Sequence, residues 1–135
     1  MFARQLATIE AGLAPPVIRA GNLSAARDVT DVRDTVRAYV ALMARGRPGV
    51  CYNVCSGRAV SVQAILDGLR TRVRQPVEVV TDPARMRPVD TPVIVGSHAR
   101  LTHDTGWTPE FSLEQTLDAL LDYWRLEVSR TPPGQ

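Results

Sequence analysis

Lysine is absent from this sequence. All sixteen basic residues among the 135 are arginine, which excludes a Walker-type phosphate loop, a Schiff-base lysine and a Tyr-x-x-x-Lys dehydrogenase pair within the chain, since each depends on an ammonium group. Biased genome composition produces the same replacement of lysine by arginine, so the bias alone says little about a need for guanidinium groups. Long apolar runs are absent as well. Nothing approaches the roughly 20 residues of a membrane span, and the start, Met1-Phe2-Ala3-Arg4-Gln5, has neither the apolar centre nor the cleavage site of a signal peptide. The chain is therefore expected in the cytoplasm, with no membrane partner. Net charge is only +2 and the arginines are interspersed with acids, so no basic stripe exists that would track a nucleic acid. Cysteine is scarce. Cys51 and Cys55 would share one face of a strand, too far apart for a disulfide, and two thiols are an incomplete zinc site. They are expected to be reduced, buried small hydrophobes, with no metal.

What is present is the composition of a globular protein, 44% hydrophobic and 22% charged. A chain of 135 residues supplies one core, so a single domain over residues 1–128 is expected, followed by a flexible tail at 129–135. Phe2, Leu6, Ile9 and Leu13 repeat at helical spacing, with Gly12 placed to end the helix and Pro15-Pro16 to break it. Residues 17–20 read as a strand and Gly21-Asn22 as a turn with a left-handed asparagine. A second helix takes Thr30 or Asp31 as its N-cap, carries Val36, Tyr39, Val40 and Met43 on its apolar side, and ends near Ala44. Residues 50–54 are strongly β-prone, and Ser61 caps a third helix striped by Val62, Ile65, Leu66, Leu69 and Val73. Residues 77–80 form a third strand, and three prolines exclude regular structure from 82–92. Residues 93–95 are extended, Ser97 caps a small helix that stops at Gly106, and Ser112 with Gln115 forms a capping box for a last helix. That helix carries Leu113, Leu117, Leu120, Leu121, Trp124 and Val128 as its stripe; Trp107 and Trp124 are core anchors.

Strands alternating with helices give an α/β domain, α+β when taken by itself, with helices packed on a small, mostly parallel sheet. Three or four short strands make a meagre sheet. It is more easily understood as the edge of a larger one.

The chemistry centres on Arg27-Asp28-Val29-Thr30-Asp31-Val32-Arg33-Asp34, which sets an arginine and capping aspartates at the mouth of a helix, where anions are held. Arg27 meets a phosphate on this reading. The alternative is that Arg27 and Arg33 pair with Asp28, Asp31 and Asp34 on a solvated helix start. Asp31 is read as a helix cap. His98 and His103, five apart, do not share a helix face and read as surface histidines, not metal ligands.

Six segments occur in an order that resembles extended short-chain dehydrogenases acting on nucleotide sugars, within the NAD-dependent epimerase/dehydratase family. They are Phe2-Ala3-Arg4-Gln5, Gly21-Asn22-Leu23, the 27–34 segment, Tyr52-Asn53-Val54-Cys55-Ser56-Gly57, Arg87-Pro88-Val89-Asp90 and Gly106-Trp107-Thr108-Pro109. The branch most resembled is that of GDP-mannose 4,6-dehydratase and GDP-6-deoxy-4-keto-mannose reductase. The resemblance covers residues 2 to about 125, and it implies the C-terminal, substrate-binding part of a Rossmann-type enzyme. The family's Gly-x-x-Gly-x-x-Gly turn and Tyr-x-x-x-Lys pair are not in this chain; Tyr39, Tyr52 and Tyr123 are followed four places on by Met43, Ser56 and Glu127.

By the same resemblance, Arg27 and Arg87 hold the diphosphate of a GDP-sugar, Asp90 fixes the loop around Arg87, and Arg4 and Asn22 are candidate polar contacts beside the base and ribose. For Arg4 and Asn22 the alternative is an exposed helix residue and a turn residue. No catalytic residue and no cofactor site are expected in this chain. In the complete family enzyme NADP or NAD would exchange a hydride with the sugar C4. The implied function is a nucleotide-sugar-binding portion, inactive alone; the alternative is a non-catalytic module that self-associates or binds a partner through the apolar face left by the missing Rossmann sheet.

Overall fold

The computed structural model describes residues 2–86 and 91–130. Helix α1 (Phe2–Glu10) forms because Ala3, Leu6, Ala7 and Ile9 fall on one face and are buried there. Gly12 ends it, with φ of 72°. Its amide and that of Leu13 donate back to Ile9 and Thr8, which is a Schellman closure that a side chain at Gly12 would strain. The helix stops before Leu13, which is 49% exposed and outside the stripe that spacing assigns it to.

Strand β1 (Val17–Ala20) pairs in parallel with β4 (Glu78–Thr81), Ile18 opposite Val79. Helix α3 (Val62–Arg70), capped by the Ser61 hydroxyl as expected, and helix α5 (Leu113–Arg130) complete this layer. Their shared core holds Leu6, Ile18, Leu66, Leu69, Val77, Leu117 and Leu121, with Trp124 half-buried against it. Leu120 is exposed, turned away from the stripe. Helix α5 continues through Arg130, past the start of the expected tail; residues 131–135 lie outside the described residues.

A second sheet is separate, with strand β2 (Ala26–Asp28) between β3 (Ala59–Ser61) and β5 (Val93–Ile94). The pairing is antiparallel to β3 and parallel to β5, so the strands are mostly parallel but form two small sheets instead of one. The strand β3 precedes α3 directly, where spacing alone reads only a turn and a helix cap. Pro83–Arg85 is a 3-10 turn inside the proline-rich stretch.

Helix α2 (Val32–Arg45) starts at Asp31 and turns Asp34 and Ala38 inward, not the expected stripe. Val36, Tyr39, Val40 and Met43 are exposed, Met43 by 91%. The smaller core beneath α2 is Ala38, Leu101 and Trp107, with helix α4 (Ala99–Thr105) alongside. The N-cap position of α4 is His98, not Ser97, and it makes no side-chain cap bond.

Residues 50–54 form no strand. Among the described residues no strand pairs with their backbone, and side chains hold them instead. The Tyr52 hydroxyl donates to Asp104 at 2.6 Å, Arg100 donates to the Cys51 carbonyl at 3.0 Å, and the Asn53 amide donates to the Ser97 carbonyl at 3.4 Å. Cys51 is consequently exposed, against expectation, while Cys55 is buried and its thiol titrates high because burial disfavours the thiolate.

Candidate functional site

Arg27 sits in the middle strand of the three-stranded sheet, opposite Val60 on one side and Ile94 on the other. Its side chain is half-buried. One guanidinium nitrogen, Nη1, donates to the carbonyls of Ala26 at 2.7 Å and Pro92 at 3.4 Å. Among the described residues Arg27 pairs with no carboxylate, so the expected alternative of an Arg27 ion pair with Asp28, Asp31 or Asp34 is not what forms. A guanidinium has five N–H donors; two carbonyl contacts through Nη1 leave Nε and Nη2 without partners among the described residues.

The three aspartates are engaged elsewhere. Asp28 Oδ1 accepts from the Ser56 amide at 2.7 Å and the Ser56 hydroxyl at 2.6 Å, and Oδ2 accepts from the amides of Gly57 at 3.0 Å and Gly96 at 3.2 Å. Burial pushes this carboxyl up, but these bonds together hold it below the usual aspartate value. Asp31 caps α2 as expected, accepting from the Arg33 amide at 2.8 Å, and also forms a two-pronged pair with the Arg33 guanidinium, which lies 3.7 Å from the Phe111 ring centre. The Arg33 side-chain bonds, against the cost of burial and with help from Thr116, hold Asp31 well below the carboxylate range. Asp34 accepts from the Glu110 and Phe111 amides at 3.1 Å and from Arg37 at 2.6 Å. The Arg33 half of the expected ion pairing is therefore real, and it serves to join α2 to residues 107–116.

The remaining candidates are scattered. Arg4 is exposed on α1, its guanidinium 5.5 Å from the centre of the Trp124 ring. Asn22 accepts from the Ser24 amide at 2.8 Å and its hydroxyl at 2.7 Å, holding its own turn. No non-glycine residue among those described has a positive φ, so the left-handed Asn22 expected from sequence is not found: the side chain closes the turn without it. Arg87 and Asp90 lie outside the described residues. His103 is an exposed histidine beside Asp104, but His98 is half-buried, its ring edge-on to Trp107 at 5.6 Å with Nδ1 enclosed and unbonded. No group of three or more His, Cys, Asp or Glu side chains among the described residues is arranged to hold a metal. A cleft of about 500 Å³ runs between Val29, the 56–58 turn, His98 and residues 109–113. Arg4, Asn22 and Arg27 do not line it.

The model of the GDP-mannose 4,6 dehydratase family matches residues 1–120. The chain belongs to that family. Within it, GDP-6-deoxy-D-mannose reductase of Pseudomonas aeruginosa is 39% identical over 126 residues, covering 93% of this chain and 41% of that protein. RMD from Pseudomonas aeruginosa, solved in complex with NADPH, superposes with a TM-score of 0.86 and 36% identity over 93% of this chain and 41% of its own. A UDP-glucose 4-epimerase from Bifidobacterium longum, solved with NAD+ and UDP, has a TM-score of 0.72 at 16% identity over 94% of this chain and 39% of its own, which extends the likeness in fold alone. The chain thus spans about two fifths of the length of the family members it matches. From the sequence, Asp28 and Asp34 read as arginine partners at a helix start; the amides they accept from lie at 56, 57 and 96 and at 110 and 111, so no local spacing pointed to them.

Proposed function

We propose that this chain binds the nucleotide-diphosphate part of a GDP-mannose-type sugar, as a portion of a dehydratase- or reductase-like enzyme of deoxysugar biosynthesis. Arg27 and Arg87 are the diphosphate ligands, each offering a permanently charged fork that matches phosphate oxygens. The observation that carries the reading is the half-buried Arg27 guanidinium, which has N–H groups to spare and no carboxylate partner among the described residues. Arg4 and Asn22 are secondary candidates: the Arg4 guanidinium rests near the Trp124 ring, and among the described residues the Asn22 side chain bonds only its neighbour Ser24. The contribution is orientation and binding energy, not proton transfer.

The residues present do not fit a nicotinamide cofactor. No glycine-rich turn joins a strand to a helix among the described residues, and the chain has no lysine to pair with a tyrosine. NADP or NAD is held, on this proposal, outside these 135 residues. The chain alone is expected to turn over no GDP-4-keto-6-deoxy sugar with reduced nicotinamide. The proposed compartment is the cytoplasm, in keeping with two unpaired thiols; no described helix is long and apolar enough to cross a membrane.

A calorimetric titration with GDP tests the reading. Binding should weaken at least tenfold in Arg27→Ala and in Arg87→Ala, each losing charge-assisted bonds of about 1.5–3 kcal/mol. Unchanged affinity in both variants would sink it.

A second reading is favoured by the exposed Val36, Tyr39, Val40 and Met43 on α2: a non-catalytic module, or homo-oligomer, associating through that face. Sedimentation velocity over a range of concentrations separates the two. A dimer indifferent to GDP and abolished by Met43→Glu supports the module.

A further inference from the structure

We infer that Asp28 is a positioning residue for Arg27, fixing through both neighbouring strands the direction in which the guanidinium is presented. The inference rests on the reading of Arg27 as a diphosphate ligand. Adjacent residues on a strand project to opposite faces, so Asp28 and Arg27 work on different sides of β2. Strands this short hold one another weakly by their ladders alone.

The Asp28 carboxylate supplies what the ladders lack. Its oxygens take four hydrogen bonds: two from Ser56 and one from Gly57, which lead into β3, and one from Gly96, which follows β5. Bonds to an ionised acceptor are the stronger kind. One carboxylate therefore anchors both neighbours of β2 at the same end of the sheet. The link to Arg27 runs through β5. The Pro92 carbonyl, just before β5, accepts both the Ala26 amide at 2.8 Å and Arg27 Nη1 at 3.4 Å. If Gly96 comes away from Asp28, β5 loses its side-chain anchor on β2 and keeps only the short ladder and the Ala26–Pro92 bond, so the Pro92 carbonyl, one of the two that seat the guanidinium, is held less firmly.

The test uses the full chain labelled with 15N, as wild type, Asp28→Asn, Ser56→Ala and Arg27→Ala. The first readout needs no ligand: the heteronuclear NOE of the Arg27 Nε–H group. It should fall in Asp28→Asn to the value of a freely turning arginine, and part of the way in Ser56→Ala, while core amides such as those of Leu6 and Ile18 keep their positions. The second is GDP affinity, expected to drop about tenfold in Asp28→Asn, as for loss of hydrogen bonds to a charged group, and less in Ser56→Ala. A purely structural Asp28 would lower the melting temperature and leave the Arg27 signal as it was. A folded Asp28→Asn chain with wild-type Arg27 order and affinity overturns the inference. Should Asp28→Asn fail to fold, Ser56→Ala decides by the same readouts, and wild-type behaviour there overturns it. Wild-type affinity in Arg27→Ala defeats the diphosphate reading instead, and the ligand-free Arg27 signal then judges the positioning claim by itself.

Discussion

Asp34 is 1% exposed, and its two oxygens hold the amides of Glu110 and Phe111 and the Arg37 guanidinium, which also pairs with Glu110. Removing such an acceptor strands part-buried donors and opens a buried site, at a cost of about 1–3 kcal/mol for each group. Asp34→Ala should therefore lower stability to urea by about 3 kcal/mol or more, and denaturation midpoints measure it. Asp31 makes a pH prediction. Its carboxyl titrates lower in the folded chain than in the unfolded one, held down chiefly by Arg33. A depressed folded value means the stabilisation is present above the unfolded value, near 4, and is lost as the pH falls below it. Stability should thus decline from about pH 4 downward, and Asp31→Asn should flatten that decline while lowering stability at neutral pH. A slope identical to wild type would show that Asp31 is not the group responsible.

Among the elements, the end of β1 carries a tight steric demand. A Cβ on Gly21 would stand 2.1 Å from the backbone carbonyl oxygen of Arg85, which belongs to main chain and cannot swing aside. Gly21→Ala should cost more than about 2 kcal/mol and displace the segment leading toward Arg87, a loss visible in melting temperature. On α2 the opposite holds. Val36→Lys and Met43→Lys, at positions 54% and 91% exposed, should change the stability of the monomer by no more than about 0.5 kcal/mol, whereas Ala38→Lys, on the buried face, should prevent folding. The sequence made α2 legible as a helix but misassigned its inner face. Its most apolar stripe is outside, and the face turned inward carries a small residue, Ala38, beside a carboxylate, Asp34. Residues 50–54 failed for a related reason: β-propensity describes fitness for a sheet, and a strand exists only where another backbone answers it. The helices α1, α3 and α5 were readable because stripe and burial agree along most of each, Leu13 and Leu120 apart.

In the molecule as a whole, one core lies between α1, α3, α5 and the β1–β4 pair, and a smaller one lies under α2. Arg27 belongs to neither, standing on the sheet beside them. A ligand that binds only the folded chain raises its stability by mass action, by about 2.7 kcal/mol at a hundred times its dissociation constant. GDP should therefore raise the melting temperature of the wild-type chain and leave that of Arg27→Ala where it was; equal shifts in both would place the nucleotide elsewhere. The sequence by itself determined the helices, the caps at Asp31 and Ser61, the mixed α/β class and the family, because these depend on local spacing and on the order of short motifs. Only the tertiary structure decided that Arg27 pairs with no carboxylate among the described residues, that Asp28 fastens two turns and Asp34 a third, and that the apolar side of α2 faces out. Those outcomes turn on which distant backbone comes within about 3 Å of a given side chain, and no spacing along the chain encodes that distance.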